Sequence, residues 1–264
     1  MAAPSQRILA RPGPGGASRI VRPVTRLRDD LVFPDGGTRH PGRHVVVDGV
    51  LRQGAGSVAV VVKKMRKNAF ERLFGSRSER ALAAARALVA RGLPTPEPFG
   101  AEDLGDESWY VCRRVDGAVQ VREWFLTRDE RGFPPPRHPI PFDEVVAALG
   151  RLARRIHEAG VFYRDFSDGN ILVTAGELEP VFWLVDLTRA RFSARPVGNL
   201  ARLRDLARLG LNRKEDRKLL LVNYFDPAPV PSWFETALSV LRTRILVWDD
   251  LKDRIRPWKR RRRS

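Results

Sequence analysis

The sequence predicts an α+β chain of two lobes, and three observations carry that reading. Short β-like apolar runs dominate residues 31–116, and amphipathic helical patterns dominate from residue 142 onward. Between short strands in the second part lies a polar loop, YRDFSDGN, that does not read as a surface turn alone. Strands first and helices after is an α+β arrangement, here a small antiparallel sheet with one helix followed by a mainly helical lobe. The 264 residues suffice for two modest lobes sharing a cleft. The expected boundaries are a flexible basic arm at 1–30, an N-lobe at 31–116, a C-lobe at 117–250 and a basic tail at 251–264.

LVFP at Leu31–Pro34 is a short apolar run, followed by the Gly-rich stretch DGGTRHPG. RHVVVDGVLR reads as a strand with a turn, and SVAVVVKK as a valine-rich third strand. Ser76 with Glu79 three residues later forms a capping box, with Ala81, Leu82, Ala85, Leu88 and Val89 as the apolar face of the helix that follows. Gly92 closes that helix, LPTPEP is an extended connector, and SWYVCRRVDG is a strand leaving the first lobe. A short helix is expected near Val121–Leu126, then a proline-rich stretch crossing between lobes. Phe142–Ala159 is amphipathic, with Val145, Val146, Leu149, Leu152, Ala153 and Ile156 at spacings of three and four. The remainder, from about Asn199, is helical.

Composition excludes several classes. The single cysteine, Cys112, leaves no intrachain disulfide and no cysteine-based zinc site. His40 and His138 have no metal-ligand spacing, and His157, near a helix end, reads as structural. MAAPSQRILARPGPGG holds no apolar core of signal-peptide length, and no apolar run approaches the ~20 residues of a membrane span, so a soluble or peripheral protein is expected. The charge is unusual: 48 Lys and Arg against 31 Asp and Glu, net +17. Such a field attracts nucleic acid, anionic membrane or phosphorylated substrates. It is concentrated in the tail KDRIRPWKRRRRS, with eight basic residues, one acid and Trp258. One reading is a solvated tail; the other is an anchor to an anionic membrane. No aromatic platform accompanies it, so nucleic acid is not the expected partner.

Three motifs carry chemistry. YRDFSDGN has the form Tyr-Arg-Asp-x-x-x-x-Asn, in which Asp165 would accept the proton of an attacking hydroxyl and Asn170 would hold magnesium. LVDLT ends an apolar strand in Asp186, 21 residues after Asp165, a position resembling that of the metal-binding Asp in the protein-kinase signature. VVVKK ends a valine strand in lysine, whose ammonium would pair the ATP phosphates and a helix glutamate. Lys63 is the expected phosphate lysine and Lys64 the alternative, because adjacent strand residues face opposite ways. Glu79 is the expected partner, with the capping role as its rival and Glu71 as a further candidate. Gly36 and Gly37, with Gly42, would let backbone amides approach phosphate, although they do not form Gly-x-Gly-x-x-Gly. Arg189 and Arg191 read equally well as surface charges or phosphate contacts.

VVVKK, SRSERALAAARALVARGLPTPEP, LARRIHEAGVFYRDFSDGNILV and FWLVDLTRAR together resemble the bacterial lipopolysaccharide-core kinases, the Kdo and heptose kinases, across Leu31 to Phe192. The resemblance implies a protein-kinase-like fold and ATP–Mg2+ chemistry on a sugar hydroxyl of the lipid A–core region, Kdo on lipid A first. It implies Lys63, Glu79, Asp165, Asn170 and Asp186 in the roles above, and a peripheral place on the cytoplasmic face of the bacterial inner membrane. Three departures stand out. Asp-Leu-Thr replaces Asp-Phe-Gly, no Ala-Pro-Glu follows, and Tyr163 stands where the family often has His, which puts the anchoring of the loop in question. Alternatives within enzymes are a phosphotransferase of the aminoglycoside or choline type and a compact atypical protein kinase. From another class, the alternative is a pseudokinase that only binds a partner.

Overall fold

Valine-rich alternation builds the first sheet. The computed structural model describes residues 27–34, 38–40, 44–54, 56–67, 71, 75–129, 139–177 and 179–261, with only the backbone course given for 38–40, 44, 249 and 252–261. Strands β1 (Leu31–Val32), β2 (Thr38–His40), β3 (His44–Gln53), β4 (Gly56–Arg66), β5 (Pro98–Leu104) and β6 (Glu107–Arg113) form an antiparallel sheet ordered β1-β3-β4-β6-β5, with β2 also on β3. The alternation splits β4 between two faces. Val60 and Val62 are fully buried in a cluster with Leu27, Leu31, Leu51, Phe99 and Val111, while Val61 and Lys63 turn to the other side.

Two details differ from the sequence reading. β3 runs through Asp48-Gly49 without a turn, because all ten of its residues pair with β4 and that pairing outweighs a local turn signal. β5 lies within a stretch whose Pro98, Gly100 and acids mask it; it is stabilised as an edge strand by pairing with β6. The sheet also takes in Leu27, which packs beneath Gly100.

Helix α1 (Arg77–Val89) starts at a complete capping box and buries Ala81, Ala84, Ala85 and Leu88, whereas Val89 lies outside. After β7 (Val119–Gln120) come α2 (Arg122–Asp129) and α3 (Phe142–Glu158), where all six expected apolar positions are buried. The expected proline-rich crossing falls mostly outside the described residues. β8 (Val161–Tyr163), β9 (Ile171–Thr174), β10 (Val181–Leu184) and β11 (Ala190–Phe192) follow; β9 pairs with β7 and β10, and β11 pairs back with β8. Helices α4 (Asn199–Leu206), α5 (Lys214–Phe225) and α6 (Ser232–Arg261) complete the chain. The basic stretch read as a separate tail continues α6, consistent with the helix propensity of Arg and Lys. Among the described residues no helix is long and apolar enough to cross a membrane.

Gly150 lets α3 and α5 approach closely. A Cβ there would lie 2.5 Å from the Leu220 carbonyl oxygen and 3.1 Å from Asn223 Cβ. Helix propensity alone would favour alanine, yet the backbone contact leaves no room for it. Gly150→Ala is therefore expected to cost roughly 1–3 kcal/mol through overpacking, read as a lower Tm in a thermal melt; an unchanged or raised Tm would show that propensity wins.

Candidate active site

The loop after β8 places the first functional group. Tyr163 is 1% exposed, its backbone N–H donates to Asp205 Oδ2 at 2.8 Å, and its hydroxyl donates to the Val185 carbonyl. Two residues on, Asp165 leaves the core, its carboxylate partly exposed, with Oδ1 accepting from Arg189 Nη1 at 2.8 Å. The backbone then tightens: Ser167 N–H donates to Asp165 O at 2.7 Å and Asn170 N–H to Ser167 O at 2.9 Å. Asn170 Nδ2 also donates to Asp165 O at 2.9 Å. Because that partner is a carbonyl, the nitrogen must face it, which leaves Asn170 Oδ1 as an acceptor for a cation.

Asp186 follows β10 with φ 59 and ψ 54, the one positive-φ residue other than glycine among the described residues. A left-handed aspartate costs on the order of 1–2 kcal/mol and persists where its surroundings fix it. They do so here on both sides. Val185 N–H donates to Asn170 O at 3.1 Å, the Val185 carbonyl receives the Tyr163 hydroxyl, and Lys63 Nζ holds Asp186 Oδ1 at 2.7 Å. The Tyr163 hydroxyl thus supplies the anchoring that the missing histidine put in question.

Lys63, Asn170 and Asp186 line one cleft of about 530 Å³. Val46 and Val61 from the sheet and Leu172 and Leu184 from β9 and β10 add apolar walls suited to a planar base, within the size range of small-molecule sites. Lys64 points the other way, its Nζ 4.3 Å from the ring centroids of both Phe33 and Trp109. Of the two lysines, Lys63 is the one that faces the cleft. Cys112 lines the same cleft, and burial pushes its thiol up to about 12, so it is inert there.

Other expectations need correction. Glu79 does not meet Lys63: it accepts from Ser76 N–H at 3.1 Å while its own N–H donates to Ser76 Oγ at 3.2 Å, so its carboxylate is spent on the helix start. Glu71 is buried and paired with Arg77 and Arg80. Among the described residues the partner of Lys63 is Asp186. Gly36, Gly37 and Gly42 lie outside the described residues. Arg191 is exposed, whereas Arg189 joins the site through Asp165.

Sequence reasoning missed Asp205, a fully buried acid on α4. It touches His157 Nε2 at 3.4 Å, and His157 Nδ1 lies 2.8 Å from the Tyr224 hydroxyl, which accepts from Arg202 at 3.1 Å. Burial pushes His157 below and Asp205 above their ordinary ranges. An aspartate between Leu203 and Leu206 on an apolar helix face was the available signal.

The lysine assignment gives a paired test. Lys63→Met is expected to weaken Mg–ATP binding roughly tenfold or more by removing a charge-assisted contact. Lys64→Met is expected to leave nucleotide affinity unchanged and lower Tm slightly through the lost cation–π contacts. Binding of a fluorescent ATP analogue, with a melt of each variant, reads both; the opposite pattern would move the role to Lys64.

Comparison with known proteins bears on this geometry. The chain is similar in structure to a solved "WaaP in complex with acyl carrier protein", at 22% identity and a TM-score of 0.50, over 77% of this chain and 87% of that one. In all, 1310 solved chains match significantly, so this fold is widespread and does not by itself identify an acceptor. No curated protein sequence matches significantly. The model of the lipopolysaccharide kinase (Kdo/WaaP) family matches residues 51–219, which include Lys63, Asp165, Asn170 and Asp186. The chain belongs to the lipopolysaccharide kinase (Kdo/WaaP) family.

Proposed function

We propose that this protein transfers the γ-phosphate of ATP to a hydroxyl of a Kdo residue on lipid A, working at an anionic membrane surface. The observation that carries the reading is the convergence of Lys63, Asn170 and Asp186 on one cleft, with Asp165 on the loop leading into it. ATP fits the apolar walls with its base and the Lys63 ammonium with its phosphates. Magnesium, held by Asn170 Oδ1 and Asp186, would neutralise charge on the phosphates. Two protein oxygens are a sufficient set, since magnesium keeps waters and takes phosphate oxygens as further ligands. Asp165 receives the proton as the sugar oxygen bonds to the γ-phosphorus and ADP leaves. Arg189 holds that carboxylate through Oδ1 and leaves Oδ2 for the proton.

The membrane part of the proposal rests on α6. Trp233, Val240 and Val247, seven residues apart, share one flank with Trp248 and Leu251, and all five are exposed, Val247 by 63% and Trp248 by 57%. Phe234 and Leu238 bury the other flank. Ile255 and Trp258 continue the same heptad positions into the basic end of the helix. An apolar stripe that leads into the basic sequence Lys252–Ser264 suits the interface of an anionic bilayer, and we place the protein on the cytoplasmic face of the bacterial inner membrane.

Incubation with Mg–ATP and Kdo–lipid A, a panel of soluble sugars and generic proteins tests the reading. A mass gain of one phosphate on Kdo–lipid A supports it; phosphate on other sugars or on protein alone overturns the Kdo assignment.

Asp165→Asn is expected to lower turnover by roughly two to four orders of magnitude while nucleotide affinity holds. Asp186→Ala is expected to abolish transfer and the magnesium dependence of nucleotide binding; unchanged magnesium dependence would make Asp186 a turn residue only. Truncation after Leu251 is expected to abolish sedimentation with phosphatidylglycerol vesicles, in the same low-salt buffer where the full chain sediments. Transfer to a soluble acceptor and the melt should persist. Retained vesicle binding would remove the basic end from the membrane role.

A further inference from the structure

A second cleft, of about 380 Å³, opens beside the loop that carries Asp165. The turn from Ser167 to Asn170 is the wall between the two cavities: Gly169 and Asn170 line the nucleotide cleft, Ser167 and Asp168 the second. Arg122 of α2 closes over this turn, so near that a Cβ on Gly169 would meet its Nη2 at 2.9 Å.

Three guanidiniums line the second cleft, those of Arg122, Arg208 and Arg242. Two are held by the protein. Arg122 Nε lies 3.4 Å from Asp168 Oδ2, and Arg242 donates to Asn212 Oδ1 at 2.7 and 3.2 Å and to the Ala207 carbonyl at 3.3 Å. Arg208, exposed on the segment after α4, has no side-chain hydrogen bond or ion pair among the described residues. Asp205 feels its charge, but that carboxylate is buried and hydrogen-bonded to the Tyr163 N–H and to His157, so it does not pair with the guanidinium. Asp168 is committed to Arg122, and Asp129 accepts from Asn212 at 2.7 Å and pairs with Arg213 at 3.5 Å.

Three guanidiniums against the two committed carboxylates of Asp129 and Asp168 leave a net positive cavity of small-molecule size, which favours an anionic ligand. We propose that this second cleft is the acceptor subsite, and that Arg208, backed by Arg122 and Arg242, binds an acidic substituent of the acceptor sugar, a carboxylate or a phosphate. The placement suits transfer. Ser167 N–H bonds back to Asp165 O at 2.7 Å, and the Cα atoms of Asp165 and Ser167 lie within about 7 Å, about the breadth of one sugar ring. A sugar whose anionic group sits on Arg208 thus lies beside the turn that Asp165 leads into, while the donor occupies the cleft across that turn. The inference rests on the kinase reading and adds where and by what chemistry the acceptor is held.

The test measures binding, so that it stands apart from transfer. Kdo methyl glycoside is titrated calorimetrically into the full chain held with Mg–ADP, then the methyl ester of its carboxyl group, then inorganic phosphate. Wild-type protein is expected to bind the acid. Arg208→Gln is expected to weaken that binding roughly tenfold or more with ADP affinity unchanged, and Arg208→Lys to lose less. Weak binding of the ester by wild type identifies the carboxylate as the group recognised. Equal binding of acid and ester, with displacement by inorganic phosphate, identifies a phosphate subsite instead, and Arg208→Gln must then weaken phosphate binding. Arg204→Ala, on the exposed side of α4, serves as the control and should change neither. An Arg208→Gln protein that melts normally and binds as tightly as wild type overturns the proposal, as does a wild type that binds neither the acid nor inorganic phosphate. Loss of phosphoryl transfer to every sugar, with anion binding at Arg208 intact, would instead sink the kinase reading alone.

Discussion

The position of the catalytic loop depends on one buried carboxylate. The loop from Arg164 to Asn170 has Phe166 as its only large apolar side chain, so hydrophobic packing alone cannot fix it. Asp205 does much of that work. Its Oδ2 accepts the Tyr163 N–H, and beside it His157 and Tyr224 tie α3 and α5 to the same point. Asp205 Oδ1 is buried without a hydrogen-bond partner among the described residues, so the acid is held through Oδ2 alone, and removing it would leave the Tyr163 amide unpaired in the core at a cost of about 1–3 kcal/mol. From this anchor the geometry propagates outward. Tyr163 is fixed, its hydroxyl fixes Val185, and Val185 holds Asp186 in a backbone conformation that it would not choose alone.

The cleft shows how a strand can serve two purposes at once. Residues 60 and 62 seal the outer face of the sheet, and residues 61 and 63 face the cleft. Lys64 remains on the outer face, where Phe33 and Trp109 receive its charge against their rings. Two adjacent lysines thus have environments that differ in kind: one meets a carboxylate at a phosphate site, the other an aromatic pair. The Lys63–Asp186 contact also brings a cation and a carboxylate to the same spot in the cleft, which is what the proposed Mg–phosphate group would require of its surroundings.

What the sequence revealed depended on how local the signal was. The meeting of Asn170 and Asp186 in one cleft, with Asp165 on the loop beside it, was legible because it follows from fixed spacing on one loop and one strand end. Helix α3 was legible because six apolar residues repeat at helical period. The Lys63 and Lys64 alternatives could be stated but not separated, since choosing between them needs the face of the sheet. Glu79 was ambiguous for a similar reason: one carboxylate can cap a helix or meet a lysine, and only the helix's placement decides. Strands β5 and β11 escaped notice because their residues are poor strand formers held by partners, β6 and β8, that sequence distance hides. Asp205 and Arg189 are purely tertiary contributions, reaching the catalytic loop from 42 and 24 residues away.

The segment that follows Asp186 explains the lost Asp-Phe-Gly pattern. A segment that switches between conformations needs a flexible joint and few attachments. Here Thr188 replaces the glycine, β11 pairs with β8, Ser193 N–H donates to Gly160 O, and Val197 N–H donates to His157 O. Gly160 itself holds φ +74 directly beneath the Ser193 and Arg195 carbonyls, so any side chain there would break the seam. Stitched along its length, residues 187–198 provide a wall and not a gate. Arg189 on that wall pairs with Asp165, which ties the orientation of that carboxylate to the same seam. An enzyme so built has its catalytic groups arranged before any acceptor arrives, and its selectivity must then come from the surfaces that receive the acceptor.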